Sequence, residues 1–192
     1  MSMITAARTM DGVEIPAAGT WDIDPTHTTV EFIARHLLVS KVRGRFGSFS
    51  GSVIVADQPY QSSVSVSIDP ASLDTGNADR DGHLRSSDFF DVDTYGEMTF
   101  VSTGFTPTGK TTFDLPGTLT IRGIAKPVVL QGEFIGLATD PWGGTRAAFS
   151  AATEVDREDW GLTWNKVVES GGVLVSKTVR IELEVQLIRK DT

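Results

Sequence analysis

The residues best suited to chemistry lie in one polar segment, residues 74–91. An enzyme needs a nucleophile or an acid–base pair in a concave site, and the densest candidates for such a pair are Asp81, His83, Asp88 and Asp91. Carboxylates and imidazoles of this kind also cap helices and close turns. We therefore predict that the protein is not an enzyme, and we keep catalysis as the less favoured alternative.

The same segment predicts a short helix followed by an apolar plug. Asn77 or Asp79 can cap a helix, and residues 80–85 supply about one and a half turns. Phe89 and Phe90 follow the helix and must be buried somewhere. We expect the helix and the two rings to lie at the mouth of a β-barrel.

Two further motif matches do not predict an activity. Residues 104–111 fit the phosphate-loop pattern, but that loop requires a following helix, and here the next element is a strand that contains Pro116. Residues 74–76, Asp-Thr-Gly, match half of an aspartic protease dyad, whose second carboxylate would have to come from a symmetric dimer. We interpret both segments as turns.

The three histidines, His27, His36 and His83, do not indicate a metal site. No second histidine lies three or four residues from any of them, the spacing that paired metal ligands usually show. We predict no metal and no cofactor. His36 shares the face of Phe32 in an alternating segment, so we expect His36 to point inward.

Composition limits the function classes. The chain has 192 residues, 40% of them hydrophobic, which suits one domain with a full core. A net charge of -8 argues against nucleic acid and against anionic membrane surfaces as partners. The absence of cysteine excludes disulfides and thiol catalysis. Residues 1–19 hold no long apolar run, so we expect a cytoplasmic protein without membrane insertion.

Alternating hydrophobicity runs through most of the chain. Apolar and polar residues with a period of two are typical of strands that bury one face, and the segments with this pattern are 30–34, 64–68, 113–121, 128–134, 147–155 and 179–187. The pattern predicts an all-β fold, an antiparallel barrel of about eight strands with one or two short helices, the second near residues 155–159. Glycines inside the strands are expected to mark bends of the closing sheet; they are Gly44, Gly47, Gly51, Gly117 and Gly132.

Four stretches together carry a family resemblance. They are residues 21–28 (WDIDPTHT), 42–51 (VRGRFGSFSG), 74–91 and 117–128. In this order the chain resembles the YceI-like family over about residues 19–190. The resemblance implies a lipocalin-like barrel that holds a long-chain lipid, typically a polyisoprenoid or a fatty-acid derivative. Many relatives are periplasmic, whereas this sequence shows no signal peptide.

The resemblance also divides the chain and singles out one position. Residues 1–18 form an N-terminal extension and residues 19–192 the lipid-binding barrel domain. Trp160 stands where relatives usually have phenylalanine, and the larger ring is expected to narrow or shorten the cavity.

The expected ligand site is the interior of the barrel. Small inward residues such as Ala34 and Ala151 leave room for a ligand, and the apolar wall is expected to consist of Phe32, Phe46, Phe49, Phe100, Leu119, Phe134 and Phe149. The polar end of the lipid is expected to meet His36, His83 or Arg85. We predict a non-enzymatic carrier of a long-chain isoprenoid or related lipid. The alternative is an interaction module with a filled core that forms a homodimer, for example through the alternating C-terminal strand. A less favoured alternative is an enzyme that acts on a lipid-like substrate.

Overall fold

The computed structural model describes residues 7–37, 39–167 and 172–190. Its strands, in chain order, are β1 (Ala7–Met10), β2 (Val13–Pro16), β3 (Gly19–Ile23), β4 (Thr29–His36), β5 (Ser40–Phe46), β6 (Phe49–Val55), β7 (Ser63–Ile68), β8 (Leu73–Asp74), β9 (Met98–Ser102), β10 (Thr106–Pro107), β11 (Thr112–Ile121), β12 (Ile124–Thr139), β13 (Thr145–Asp156) and β14 (Thr178–Arg189). One α-helix, α1 (Ala78–Arg85), and 3₁₀ turns at Pro59–Gln61, Pro70–Ser72 and Arg157–Trp160 complete the described elements.

Eight of these strands close into an antiparallel barrel. Their order around the wall is β13, β12, β11, β9, β7, β6, β3 and β14, and β14 pairs back with β13. The prediction of a barrel of about eight strands is thereby confirmed. β14 is paired along both edges, with β13 on one side and with β3 and β4 on the other, so it offers no free edge for pairing with a second copy.

Two groups of strands extend the barrel. β4 continues the line of β3 along β14, β5 pairs with β4, and β8 pairs with the end of β5. β1 and β2 form a separate two-stranded hairpin, within the residues that the sequence assigns to an N-terminal extension. Val13 and Ile15 of this hairpin pack against the cluster around the buried Trp21.

The predicted alternation is visible in the long strands. In β11, Phe113, Leu115, Gly117 and Leu119 are buried and alternate with half-buried residues. In β12, Val128, Leu130 and Phe134 are buried and alternate with exposed residues. A side chain period of two places all of these apolar groups on the inner face.

Several strand glycines make room for phenylalanine rings of the neighbouring strand. A Cβ at Gly44 would lie 2.2 Å from the ring of Phe32, and one at Gly132 would lie 2.2 Å from the ring of Phe113. At both positions the glycine makes space for a ring, and the bends expected there stay a prediction. The register of β12 against β13 shifts elsewhere, between Phe134 and Gly136.

Different structures cover the two ends of the barrel. We call one the hairpin end; it is formed by the β1–β2 hairpin and by the connections 56–62 and 103–111. We call the other the helix end; it is formed by α1, the Phe89–Phe90 pair and the 3₁₀ turn Arg157–Trp160. The predicted plug of Phe89 and Phe90 lies at the helix end, where both rings pack into the core.

Local hydrogen bonds hold α1 in place. Asn77 is the capping residue, because its side chain accepts a hydrogen bond of 2.9 Å from the amide of Arg80. Asp81 is buried and accepts hydrogen bonds from the amide and the hydroxyl of Thr75, at 3.0 and 2.5 Å. The second predicted helix, near residues 155–159, is only the single 3₁₀ turn Arg157–Trp160.

A buried carboxylate links β3, β14 and β13 at the place where these strands meet, which we call the seam. Asp24 pairs with Arg146, which also reaches Asp140 at 3.2 Å, and with His27 at 2.7 Å. Burial raises the pKa of Asp24, but hydrogen bonds from Thr26, His27 and Arg146 outweigh burial and hold that pKa well below its usual range. The seam is therefore held by an ionised carboxylate at neutral pH.

Candidate functional site

The interior of the barrel is a cavity of about 560 Å³. This volume lies within the range of small-molecule sites, about 300–1,000 Å³. All seven apolar residues predicted for the wall line it: Phe32, Phe46, Phe49, Phe100, Leu119, Phe134 and Phe149. Their contact with a ligand stays a prediction.

Aromatic rings form two groups along the cavity. Toward the hairpin end, Phe113 stacks on Phe105 with centroids 4.8 Å apart, and Phe134 lies 5.2 Å from Phe149. At the helix end, Phe32, Phe46 and Phe90 contact one another with centroids 5.4 to 6.5 Å apart. The rest of the lining is mostly aliphatic and includes one further ring in mid-wall, that of Phe100. Such a cavity suits an extended apolar chain.

The inward position predicted for His36 is wrong. His36 is exposed and does not line the cavity. It is the last residue of β4, beyond Ile33, at which the pairing of β4 with β14 ends. The alternation of the strand therefore continues past the barrel wall, and His36 pairs with Ser40 and Val175 instead.

His83 and Arg85 also lie outside the cavity lining. The Nε2 atom of His83 is 2.9 Å from Asp88, and its ring contacts Trp164 edge-on at 4.5 Å. Arg85 donates hydrogen bonds of 2.9 and 2.6 Å to the carbonyl oxygens of Ala71 and Leu73. Both side chains hold α1 against its surroundings, and their contact with a ligand head group stays a prediction.

The other acid–base candidates have structural partners as well. Asp81 is bonded to Thr75, and Asp91 accepts a hydrogen bond of 3.1 Å from Thr94. Across the described residues, no group of three histidine, aspartate or glutamate side chains is arranged to hold a metal ion. The segment 104–111 is a hairpin in which β10 pairs with β11, as the turn interpretation predicts.

Arg157 lines the cavity, although the sequence prediction did not include it. It is only 5% exposed, and its Nε donates a hydrogen bond of 2.9 Å to the carbonyl oxygen of Ser176. Nη1 donates to the carbonyl oxygen of Leu162, and Nη2 has no partner among the described residues. The sequence did contain a signal for this position. Arg157 lies two residues after Val155 and so continues the inward-facing alternation of β13.

Burial and neighbouring charges act on Arg157 in opposite directions. Burial lowers the pKa of its guanidinium, while the charges of Glu158 and Asp156 raise it. Arginine stays protonated in proteins, so a positive charge lies at the helix end of the cavity. The ring of Phe89 stands over this charge, with its centroid 5.9 Å from Cζ.

The sequence prediction also missed two cations at the hairpin end. Arg8 donates hydrogen bonds of 2.8 and 2.6 Å to the carbonyl oxygens of Asp57 and Ala56, and its Nε is buried without a partner among the described residues. Lys110 lines the same end of the cavity. Neither residue belongs to an alternating barrel strand, so periodicity could not place them.

Within the described part of the chain, no helix has the length and apolar character needed to cross a membrane.

Family comparison agrees with the geometry. The model of the YceI-like domain matches residues 21–187, which include all eight strands of the barrel almost entirely. The chain belongs to the YceI-like family. The match begins after the hairpin, so the β1–β2 cover of this YceI-like barrel lies outside the matched residues.

Relatives share sequence over most of their length. A UPF0312 protein of Ectopseudomonas mendocina is 37% identical over 98% of this chain and 96% of its own length. A UPF0312 protein of Azotobacter vinelandii is 42% identical over 73% of this chain and 74% of its own.

Solved structures share the YceI-like fold. BcnA of Burkholderia cenocepacia has a TM-score of 0.75 and 23% identity, over 85% of this chain and 98% of its own. The YceI protein of Campylobacter jejuni has a TM-score of 0.70 and 29% identity, over 82% and 90%. A polyisoprenoid binding domain from Saccharophagus degradans has a TM-score of 0.69 and 18% identity, over 91% and 100%. At such identities the first and third of these show a common fold.

Proposed function

We propose that this YceI-like protein is a non-enzymatic carrier that holds a long-chain isoprenoid or related lipid inside its barrel. The observation that carries the proposal is the closed barrel around an apolar cavity of about 560 Å³. The shared fold of a polyisoprenoid binding domain from Saccharophagus degradans supports the choice of ligand class.

The energetics favour a ligand with a long apolar chain. Each methylene removed from water contributes about 0.8 kcal/mol, so a chain of about ten carbons gains on the order of 8 kcal/mol before ordering costs. One charged hydrogen bond contributes about 1.5–3 kcal/mol. Burial of the chain therefore sets the affinity, and any polar contact sets the orientation.

The first test is native mass spectrometry of the purified protein, followed by organic extraction and identification of the extracted lipid. We expect a long-chain molecule bound at one copy per chain. A protein that carries no lipid and takes up no prenyl or fatty-acyl probe would contradict the proposal and would favour an interaction module.

A matched pair of variants tests the position of the ligand. Ala151 lines the cavity, while Ala152, the next residue of β13, does not. Because neighbouring strand residues point to opposite faces, Ala151→Trp should fill the cavity and abolish probe binding. Ala152→Trp should leave binding intact. Equal binding by both variants would place the ligand outside the barrel.

A further inference from the structure

The helix end of the cavity contains a buried cation that the protein satisfies only in part. Two nitrogens of Arg157 donate to the carbonyl oxygens of Ser176 and Leu162. Nη2 is shielded from solvent and has no hydrogen-bond partner in the described part of the chain. Buried polar groups are almost always hydrogen-bonded, and each exception calls for a physical explanation.

Arg157 also makes no direct ion pair among the described residues, although the charges of Asp156 and Glu158 act on it through space. Its two acidic neighbours are engaged elsewhere, since Asp156 accepts a hydrogen bond from the amide of Glu158 and Glu158 pairs with Lys177 at 2.7 Å. No ion pair within residues 7–37, 39–167 and 172–190 includes Arg157. A buried charge is normally paired, so the site lacks an anionic or strongly accepting oxygen.

The surroundings of the guanidinium leave the cavity as the place from which such an oxygen can come. Phe89, Trp160 and Leu162 around it are buried and line the cavity with it. The indole nitrogen of Trp160 already donates to the carbonyl oxygen of Leu119 at 3.0 Å. Because Nη2 has almost no accessible surface, a ligand oxygen reaches it only when a neighbouring side chain shifts, such as Phe89, whose ring stands over the guanidinium.

We propose that Arg157 is the polar anchor of the ligand and that its Nη2 donates to an oxygen of the head group. The ligand is then an apolar chain that ends in an accessible oxygen acceptor, with a carboxylate or phosphate bound most tightly. The head group lies at the helix end and the chain runs toward the hairpin end. This inference rests on the proposed lipid-binding function and adds the head-group class and the orientation.

The test compares three probes with the same chain: palmitate, palmitamide and hexadecane. Binding to the unmodified protein is measured by competition with a fluorescent fatty-acyl probe. We expect palmitate to bind roughly ten- to a hundredfold more tightly than hexadecane, because a hydrogen bond to a charged group adds to the same apolar burial. Palmitamide should lie between the two.

The outcomes separate this inference from the proposed function. Equal affinity for the three probes would overturn the anchor and leave the carrier function standing. Failure of all three to bind would contradict the proposed function itself. This ranking is measured on the unmodified protein, so it does not depend on the folding of a variant.

A pair of variants assigns the effect to Arg157. Arg157→Met should bring palmitate and hexadecane to similar affinity, whereas Arg157→Lys should keep part of the preference. Arg122→Met is the matched control: Arg122 also donates to a backbone carbonyl at this end, that of Gly161 at 3.0 Å, and stands 5.9 Å from the Tyr95 ring centroid, but it does not line the cavity. A full preference in Arg157→Met would refute the anchor.

The orientation has a separate readout in tryptophan fluorescence. Trp160 lies at the helix end, while Trp21 belongs to the cluster packed against the hairpin. Palmitate brominated beside the carboxylate should quench Trp160 more strongly than palmitate brominated at the chain terminus. The reverse order would overturn the proposed orientation.

Discussion

The helix end and the hairpin end of the barrel are closed in different ways. At the helix end, α1 is capped by Asn77, tied by Asp81 to Thr75 and packed through Phe89. At the hairpin end, the cover is a pair of four-residue strands outside the barrel sheet. An isolated two-stranded hairpin is only marginally stable. The hairpin end is therefore the one that we expect to open for a ligand.

The two ends also differ in the burial and the charge pairing of an arginine side chain. Arg157 is shut inside the helix end without an ion pair among the described residues, whereas Arg8 is half-buried and lies 3.8 Å from the exposed Asp57. Exposed pairs contribute little to stability. The helix end thus holds a fixed charge. At the hairpin end, the contacts of Arg8 can break at a small cost in free energy.

The largest expected effect concerns stability at the two ends. Phe89→Ala removes a buried ring and should lower the free energy of unfolding by about 3–5 kcal/mol. Ile15→Ala in the hairpin removes a half-buried side chain and should cost about 1–2 kcal/mol. Urea denaturation followed by circular dichroism measures both. Similar losses in the free energy of unfolding at the two positions would show that the two ends are equally well packed.

The second prediction concerns the seam between β13, β14 and β3. Asp24→Asn should cost about 2–4 kcal/mol, since it removes a charge partner of Arg146 from a buried site. Because the pKa of Asp24 is lowered in the folded state, its contribution is present above the ordinary pKa near 4 and is lost as the pH falls through the folded value. Asp24→Asn should therefore lose less stability than the unmodified protein as the pH falls through this range.

Asp22→Asn is the control for that seam. Asp22 lies on β3, two residues before Asp24, and its pair with Lys190, at 3.6 Å, is exposed. Stability at pH 7 should change by no more than about 0.5 kcal/mol. A loss equal to that of Asp24→Asn would mean that net charge, and not the buried contact, is responsible.

The third prediction tests which end opens. Arg8 and Arg85 each donate to two backbone carbonyls, at opposite ends of the barrel. Arg8→Ala should speed the release of a fluorescent fatty-acyl probe roughly fivefold, the equivalent of about one hydrogen bond. Arg85→Ala should leave the release rate unchanged in stopped-flow measurements. Faster release from Arg85→Ala alone would make the helix end the entrance.

The smallest effect is expected at Trp142. This side chain is 87% exposed on the turn between β12 and β13. Trp142→Phe should change the free energy of unfolding by less than about 0.5 kcal/mol. The variant removes a solvent-exposed emitter and so sharpens the fluorescence comparison of Trp21 with Trp160 and Trp164 at the helix end. A larger loss would indicate an unrecognised contact at this turn.

Periodicity predicted the barrel because the inner face of a closed sheet is apolar along whole strands, as in β11 and β12. It could not say where a strand leaves the wall, which is why His36 was misplaced. In the 74–91 segment, the residues that gave the family resemblance build α1 and the turns on either side of it, and His83 and Arg85 support that helix. The cation at Arg157 follows the inward register, but its burial depends on the packing of Phe89.

The glycines under the rings have a consequence for the bore of the barrel. The rings of Phe32 and Phe113 lie close against the barrel wall because Gly44 and Gly132 carry no side chain. A single methyl group at either glycine would push a ring toward the axis and thin the channel at one level. The width available to a lipid is therefore governed by the glycines behind the rings. Proteins with the same lining residues can accept ligands of different width.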